Sequence, residues 1–275
     1  MAVYGPPQDL VGLRPGDSPD EVPDRQLWVA DWPPVQQRLP SLLPRPILFA
    51  HRGARAHAPE NTISAFELAL RLGATGLESD VWVTADRVPV LVHDGEIRVR
   101  RWRKQPVATL TRAELPDHIP SLVEMIDRCG GDYEISLDLK DEASGRLVIE
   151  TIRHHFPAMV PKTWLCHHDL TALTELRTID DEIKLVDSTK LSRLSDGPER
   201  HAATLAANGI DAVNMRGTSW NGGMASLYHR FERVAFGWDL QQEYQLETAI
   251  RMGLDGVYCD HVDRMIDVAT REQAI

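Results

Sequence analysis

Short apolar segments alternate with segments of helical periodicity from residue 47 to the end of the chain. The strand candidates are apolar or β-branched and lie at 47–51, 76–83, 133–139, 163–167, 183–187, 211–215, 233–238 and 255–260. The helix candidates lie near 62–72, 120–129, 145–155, 169–178, 198–208, 221–232, 241–252 and 262–271. Because strands and helices alternate, the pattern predicts a parallel sheet with helical crossovers.

Eight strands within about 230 residues match a TIM (β/α)8 barrel in number and size. The alternative is a doubly wound sheet, which needs a topological switch point and usually a glycine-rich first turn. The glycine after the first strand belongs to His51-Arg52-Gly53 and not to a GxGxxG pattern. We therefore predict the α/β class and a TIM-barrel domain over residues 47–275.

Two segments depart from this repeat. The connection over 84–119 is long and rich in arginine, and a loop of this length in a barrel is typical of a functional insertion. It contains a second apolar run, 88–92, which ends at His93-Asp94. Residues 1–46 hold ten of the 18 prolines, which interrupt regular structure, together with apolar residues. We predict a proline-rich arm that lies against the barrel, with a disordered leader as the alternative.

The amino-acid composition limits the classes of binding partner and the cellular compartment that we expect. The chain has 30 Lys+Arg against 41 Asp+Glu, which gives a net charge of −11 and disfavours binding to the phosphate backbone of nucleic acid. A small anionic substrate can still bind where a metal ion or a cluster of cationic side chains makes the local charge positive. The three cysteines show no CxxC spacing, which favours a reducing compartment. Since neither a signal peptide nor a run of ~18 apolar residues is evident, we expect a cytoplasmic protein without stable membrane association. The oligomeric state stays open.

Polar residues collect at the predicted carboxyl ends of the strands, where TIM barrels carry their catalytic groups. They are His51, Arg52, Glu78, Asp80, Asp138, Lys140, His167, His168, Asp187, Asn214, Arg216, Trp238, Asp239 and Asp260. Glu78 and Asp80 share one face of their strand, and Asp138 and Lys140 share one face of the next, with Glu134 at its opposite end. Three convergent carboxylates need protons or a cation, and oxygen ligands alone suit Mg²⁺ or Ca²⁺.

A divalent ion flanked by Arg52, Lys140 and histidines would be a natural phosphate site. The cations neutralise phosphate oxygens while the histidines move protons. For any single residue an ordinary ion pair is the simpler interpretation. The presence of the whole set at consecutive strand ends favours a site.

Several segments of the sequence resemble the glycerophosphodiester phosphodiesterase family of phospholipase C-like TIM barrels. The opening motif is Ala50-His51-Arg52-Gly53 followed by Pro59-Glu60-Asn61-Thr62. The similarity continues through Ser64-Ala65-Phe66, Leu72-Gly73-Ala74, Leu77–Val81, Thr84, Val90, His93-Asp94, Ile119–Leu122, Leu137–Lys140, Gly253–Val257 and Asp260. It covers roughly residues 47–265, and the combined pattern is far more specific than a lone HRG.

The resemblance implies metal-dependent hydrolysis of a glycerophosphodiester to an alcohol and glycerol 3-phosphate. It assigns the acid/base pair to His51 and His93, with His93 carried by the insertion after strand two. The implied metal ligands are Glu78, Asp80 and Asp138. The expected substrate contacts are Arg52, Lys140 and Trp238. The expected supporting residues are Glu60, Asn61 and His168, with Glu60 favoured as a brace of the His51 loop over a metal ligand.

The sequence departs from the family pattern at two strand ends. The family usually has glutamate where this chain has the shorter Asp138, which leaves the choice between Mg²⁺ and Ca²⁺ open. Strand four ends in Cys166-His167-His168-Asp169 instead of a small polar residue and an aromatic. One of these histidines is expected to face the pocket, and a surface histidine that opens the next helix is the alternative.

Two other functions remain as alternatives. The first is a phospholipase D-like enzyme acting on lyso- or sphingophospholipids, with a lipid groove lined by Trp82, Trp102, Trp220 and Trp238. The second is a non-catalytic barrel that binds a phosphorylated ligand. The complete set of histidines and carboxylates disfavours the second alternative.

Overall fold

Eight parallel strands close into a barrel in the computed structural model, which describes residues 38–100 and 103–275. The strands of the chain are β1 (Ile47–Ala50), β2 (Gly76–Val83), β3 (Pro89–Leu91), β4 (Glu96–Arg100), β5 (Arg103–Pro106), β6 (Glu134–Leu139), β7 (Thr163–His167), β8 (Lys184–Ser188), β9 (Ala212–Arg216), β10 (Val234–Trp238) and β11 (Gly256–Cys259). The sheet order is β1-β11-β10-β9-β8-β7-β6-β2, and β1 also pairs with β2. This closure confirms the α/β TIM barrel, and the doubly wound alternative is wrong.

A helix follows each barrel strand. The helices are α1 (Ile63–Arg71), α2 (Leu122–Cys129), α3 (Ser144–His155), α4 (Leu170–Ile179), α5 (Pro198–Ala207), α6 (Gly222–Arg230), α7 (Glu243–Arg251) and α8 (Val262–Arg271). Local signals set their starts: the Thr62 side chain caps α1, and Ser121 and Glu124 form a capping box at α2. All eight predicted barrel strands and all eight predicted helices begin and end within about two residues of the observed bounds, as expected for strongly periodic segments.

Alternation along the strands divides the apolar residues into two layers. In β1, Phe49 belongs to the cluster inside the barrel, whereas Leu48 joins the layer between the strands and the helices. Inside the barrel, Phe49 stacks on Tyr258 with ring centroids 4.6 Å apart and meets Phe236 edge-on at 5.5 Å. The interior is therefore a packed core, and ligands have access only at its ends.

The insertion after β2 has a core of its own. Its second apolar run forms β3, which pairs antiparallel with β2, and β4 and β5 form a separate hairpin. The buried apolar residues of this segment are Val90, Ile97, Val107, Leu110, Leu115 and Ile119. Arg98, Arg103 and Lys104 are exposed, as expected for a solvated hairpin face.

The last residues before β1 contact the barrel. The backbone N–H of Leu39 donates to Arg251 O at 2.9 Å, and those of Leu42 and Leu43 donate to Asp255 Oδ1 at 2.6 and 3.0 Å. Residues 1–37 lie outside the described part of the chain, so the predicted arm and the domain boundary at residue 46 stay predictions.

Among the described residues, no helix has both the length and the apolar character that a membrane crossing requires.

Gly76, at the start of β2, makes room for the aromatic core. A Cβ at this position would lie 2.5 Å from Phe49 Cδ1 and 2.8 Å from Ile47 Cγ2. We expect Gly76→Ala to lower the free energy of unfolding by about 1–3 kcal/mol in urea denaturation, because the tightly packed rings have little space to move. Gly131→Ala is the control, since only the flexible Met159 side chain is near. Equal stability of both variants would contradict this account.

Candidate active site

A cavity of about 580 Å³ opens at the carboxyl ends of the barrel strands. Eight of the eleven predicted site residues line it: His51, Arg52, Glu78, Asp80, Asp138, Lys140, His168 and Trp238. The other three, His93, Glu60 and Asn61, line a neighbouring cavity of about 320 Å³. The prediction from strand ends therefore finds the main cavity, and the insertion and the His51 loop form a second cavity beside it.

A strained turn after β1 brings Arg52 into the cavity. Arg52 has φ of 52° and Gly53 has φ of 77°, both in the left-handed region. A Cβ on Gly53 would lie 2.8 Å from the backbone carbon of Ala65, so only glycine fits. The backbone N–H of Arg52 donates to Glu78 Oε2 at 2.8 Å, which holds the turn against β2.

His51 is held by a carboxylate from the last barrel strand. Its Nδ1 lies 2.6 Å from Asp260 Oδ1, and its Nε2 lies 3.9 Å from Glu78 Oε2. Burial lowers the pKa of His51, but the carboxylates of Glu78 and Asp260 outweigh it, so the net shift is upward. Burial raises the pKa of Asp260, but the hydrogen bond from His51 makes the net shift downward. With Nδ1 bound to Asp260, Nε2 is the nitrogen available for proton transfer.

Asp80 is the most enclosed charge of the cavity, with 2% of the residue exposed. Lys140 Nζ lies 3.0 Å from one of its carboxylate oxygens, and Arg52 Nε lies 3.0 Å from the other. The Asn61 side-chain amide also donates to it at 3.3 Å. Burial raises the pKa of Asp80, but Lys140 and Arg52 outweigh burial and hold it below its ordinary value. Lys140 is shared, since its Nζ also lies 2.5 Å from Asp138 Oδ2.

Glu78, Asp80 and Asp138, the three predicted metal ligands, have more negative charge when ionised than Arg52 and Lys140 offset. Burial raises the pKa of Glu78, and the nearby charges of Asp80 and Asp138 raise it further against the opposing effect of His51. Lys140 lies between Asp80 and Asp138, and the ligand oxygens of the three carboxylates are not all within 4.8 Å of one another. Oxygen donors alone and a surplus of negative charge fit a hard divalent cation such as Mg²⁺ or Ca²⁺.

Glu60 and Asn61 support Arg52 from outside the main cavity. Glu60 accepts hydrogen bonds from Arg52 Nη1 at 3.1 and 3.2 Å, and its Oε2 lies 3.2 Å from Arg55 Nε. Asn61 has φ of 54°, its side-chain oxygen accepts from Ser79 Oγ at 2.7 Å, and its N–H donates to Arg52 O at 3.0 Å. These contacts favour a bracing role for Glu60 over a metal ligand. Arg52 Nε is buried 3.0 Å from Asp80 Oδ2, so this part of the guanidinium faces the carboxylate and not the open cavity.

The structure places His93 beside the main cavity, not within its lining. Its side chain is 43% exposed, and its Nδ1 lies 2.8 Å from Asp94 Oδ1. Trp82 Nε1 donates to the His93 carbonyl at 3.2 Å, which ties the residue to β2. The backbone N–H of Val92, directly before His93, donates to Asp80 O at 3.1 Å, which places His93 next to the end of β2. The catalytic role of His93 stays a prediction.

Two other strand ends show which aromatic and histidine side chains reach the cavity. His168 lines it, whereas His167 contacts Asp169 at the start of α4. Trp238 also lines it, with the Arg216 guanidinium 5.9 Å from its ring centroid.

The tryptophans named for a lipid groove in the phospholipase D-like alternative occupy different places in the structure. Trp220 is only 6% exposed and donates to Phe236 O at 2.9 Å, so its placement in a groove is wrong because the indole belongs to the core. Trp82 packs over Gly95 of the insertion. Trp102 lies outside the described residues, and Trp238 is the tryptophan of this set that lines the main cavity.

Sequence reasoning missed several residues of the cavity wall. Asp260 was noted at a strand end, but its partner His51 is 209 positions away, and only the pairing of β11 with β1 joins them. Lys190 and Arg193 follow β8 and add positive charge to the wall. Their position directly after a barrel strand is the signal that could have identified them.

Comparisons with known proteins agree with this geometry. Residues 51–264 match the glycerophosphoryl diester phosphodiesterase family. A glycerophosphodiester phosphodiesterase of Bacillus altitudinis is 26% identical over 242 residues, covering 80% of this chain and 97% of that protein. Mouse glycerophosphodiester phosphodiesterase 1 is 30% identical over 192 residues, covering 62% of this chain and 58% of that protein.

Solved structures share the fold. A phosphodiesterase from Oleispira antarctica, in complex with the product sn-glycerol-3-phosphate, has a TM-score of 0.71 and 22% identity, and the match covers 82% of this chain and 97% of that one. A glycerophosphodiester phosphodiesterase from Thermotoga maritima has a TM-score of 0.70 and 21% identity, and the match covers 81% of this chain and 98% of that one. Fold and sequence together define a TIM-barrel phosphoric diester hydrolase. The chain belongs to the glycerophosphoryl diester phosphodiesterase family.

Asp260→Asn removes a charge that raises the pKa of His51. We expect the His51 titration midpoint, followed by NMR of the imidazole nitrogens, to move to lower pH. Because the pKa of His51 is raised in the fold, its contribution to stability is fully present below about pH 6.5 and is lost at higher pH. Because the pKa of Asp260 is lowered in the fold, its contribution to stability is present above about pH 4 and is lost at lower pH. The variant should therefore lose most stability between these values.

Asp239→Asn is the matched control for this titration. Asp239 also lines the cavity, but it pairs with Arg216 at 2.6 Å. Its replacement should leave the His51 midpoint in place. An unchanged His51 midpoint in Asp260→Asn would show that Asp260 does not set the charge of the imidazole.

Proposed function

We propose that the protein hydrolyses glycerophosphodiesters to an alcohol and glycerol 3-phosphate. The observation that carries the proposal is the convergence, in one cavity, of the His51–Asp260 pair with Asp80 and its two cationic partners, Arg52 and Lys140. The family match, the names of the relatives and the product bound in the Oleispira antarctica structure support the substrate class. A small water-borne substrate also agrees with the net charge of −11 and with the predicted cytoplasmic compartment.

We further propose that Glu78, Asp80 and Asp138 hold a divalent cation, Mg²⁺ or Ca²⁺. When bound, such an ion would polarise a phosphoryl oxygen and offset the charge of the transition state. Arg52 and Lys140 supply the remaining positive charge beside the non-bridging oxygens of the substrate. The bracing contacts of Glu60 keep the guanidinium in position before substrate arrives.

In this proposal His51 transfers protons through Nε2 while Asp260 holds Nδ1. The carboxylate orients the ring and stabilises the imidazolium that forms when His51 accepts a proton. His93 is the proposed partner, and the two histidines exchange acid and base roles if the reaction has two steps. The nucleophile is either water or the neighbouring glycerol hydroxyl through a cyclic phosphate, and both need a base at this place.

A second candidate substrate is a lysophospholipid. The observations in its favour are two apolar side chains: Trp238 lines the cavity, and Leu191, next in the chain to the lining residue Lys190, is 41% exposed. The chemistry at phosphorus would involve the same charged residues. The two candidates therefore differ in the alcohol or acyl chain that the rim accommodates.

Chelation tests the metal. Removing divalent ions should abolish phosphodiesterase activity, and Mg²⁺ or Ca²⁺ should restore it. Asp80→Asn should reduce turnover by about 100-fold or more, because it removes a central charge of the site. Glu134→Gln is the control, since Glu134 lies at the other end of β6 and accepts from Trp164 Nε1 at 2.7 Å. Full activity in chelator would contradict the three-carboxylate site.

His93→Ala tests the second histidine. If His93 is an acid/base residue, kcat should fall by about 100-fold or more while KM changes little, because binding depends on other groups. His118→Ala is the matched control, since His118 lines the same neighbouring cavity. Unchanged turnover in His93→Ala would make this histidine structural and would leave His168 as the next candidate partner of His51.

A substrate screen tests the proposed activity itself. Glycerophosphocholine, glycerophosphoethanolamine and glycerophosphoserine should all release glycerol 3-phosphate in ³¹P NMR, since recognition centres on the phosphate and glycerol and not on the alcohol. Lysophosphatidylcholine in the same assay represents the second candidate. Preference for the long-chain lysolipid, with none of the deacylated diesters cleaved, would reject the proposal in favour of that candidate.

A further inference from the structure

Three metal-ligating side chains converge on the barrel rim outside the proposed active site. They are His57 from the loop after β1, His261 immediately before α8 and Asp263 in the first turn of α8. One ligand atom from each lies within 4.8 Å of the other two, and the described ranges 38–100 and 103–275 contain no other group of three that meets this criterion. None of the three lines the main cavity.

The donor set points to a borderline metal and not to Mg²⁺ or Ca²⁺. Two imidazoles and one carboxylate are typical ligands of Zn²⁺, Co²⁺ and Ni²⁺. Tetrahedral zinc with bonds of about 2.0–2.2 Å needs ligand atoms about 3.3–3.5 Å apart. His57 Nε2 and Asp263 Oδ1 are already 3.0 Å apart, and the rings of His57 and His261 have centroids 6.1 Å apart at 84°. Small side-chain rotations would therefore bring the three ligand atoms to this spacing.

The backbone holds the cluster together before any ion binds. The N–H of Ala56 donates to Asp260 O at 3.3 Å, directly beside His57 and His261. The N–H of His261 contacts Cys259 Sγ at 3.3 Å. An ion could enter from solvent, since the side chains of His57 and Asp263 are 35% and 54% exposed. A lone surface hydrogen bond between His57 and Asp263 would not account for the third ligand.

We propose that His57, His261 and Asp263 form a separate transition-metal site that binds Zn²⁺ and cross-links the loop after β1 to the start of α8. Three protein ligands leave a further coordination position for water. The same two segments carry His51 and Asp260, whose nitrogen and oxygen lie 2.6 Å apart. Zinc at this site therefore restrains the segments that hold the proposed catalytic pair and stabilises the folded chain by mass action.

Calorimetric titration of the tag-free full-length protein with Zn²⁺ tests the site. Excess Mg²⁺ is kept present to compete at the carboxylates of the main cavity. The wild-type protein should bind one Zn²⁺ at this site and show a Tm that rises with Zn²⁺ concentration. His57→Ala and His261→Ala should each weaken binding by at least about tenfold and remove the Tm shift, since losing even an outer-shell partner costs 10–100-fold in metal affinity.

His154→Ala/His155→Ala is the matched control. These adjacent histidines at the end of α3 are both exposed, with ring centroids 4.6 Å apart, and should not affect zinc binding. Co²⁺ provides a second readout, because a tetrahedral site gives a strong visible band that His57→Ala should abolish. The proposal is overturned by a wild-type protein that binds no Zn²⁺, by binding that survives in both His57→Ala and His261→Ala, or by equal loss in the control variant.

Discussion

The need to keep Asp80 charged inside the barrel mouth organises the whole site. An isolated carboxylate with 2% exposure would be costly, so its two oxygens are matched by Lys140 on one side and Arg52 on the other. Arg52 reaches Asp80 only because the chain turns sharply after β1, with left-handed φ at Arg52 and at Asn61. Backbone strain in this loop is therefore linked directly to the electrostatics of the cavity.

The same arrangement suits the cation and the phosphodiester substrate that we propose. With Glu78, Asp80 and Asp138 ionised, three negative charges face the two positive charges of Arg52 and Lys140. A divalent cation together with a singly charged diester brings the total to zero. These five side chains would therefore accommodate the proposed ion and an anionic diester together, and Lys190 and Arg193 add positive charge at the cavity wall. Burial raises the pKa of Glu78, so a cation beside this carboxylate would favour its ionised form.

Much of the fold could be predicted because its signals are local. Strand and helix periodicity, together with caps such as Thr62 and Ser121, depend on neighbouring residues. The alternation of Glu78 with Ser79 and Asp80 likewise follows from strand geometry, and it correctly placed the two carboxylates in one cavity.

The remaining features depend on contacts between distant segments. The His51–Asp260 pair requires barrel closure, which joins positions 209 residues apart. The position of His93 is set by the separate apolar core of the insertion. The periodicity of the sequence does not reveal how this core packs. Trp220, offered as a groove residue only in the phospholipase D-like alternative, is a core residue, because a tryptophan after a barrel strand can turn inward as readily as toward the rim.

We propose that the carboxylates of β2 and β6 form a cation site that works together with Arg52 and Lys140. Anomalous diffraction from a crystal containing Mn²⁺ and glycerol 3-phosphate is the decisive measurement, because it locates both the ion and the phosphate. We expect a manganese peak in contact with Glu78, Asp80 and Asp138, and phosphate oxygens in contact with Arg52 and Lys140. Phosphate bound in the cavity with no manganese at these three carboxylates would contradict it.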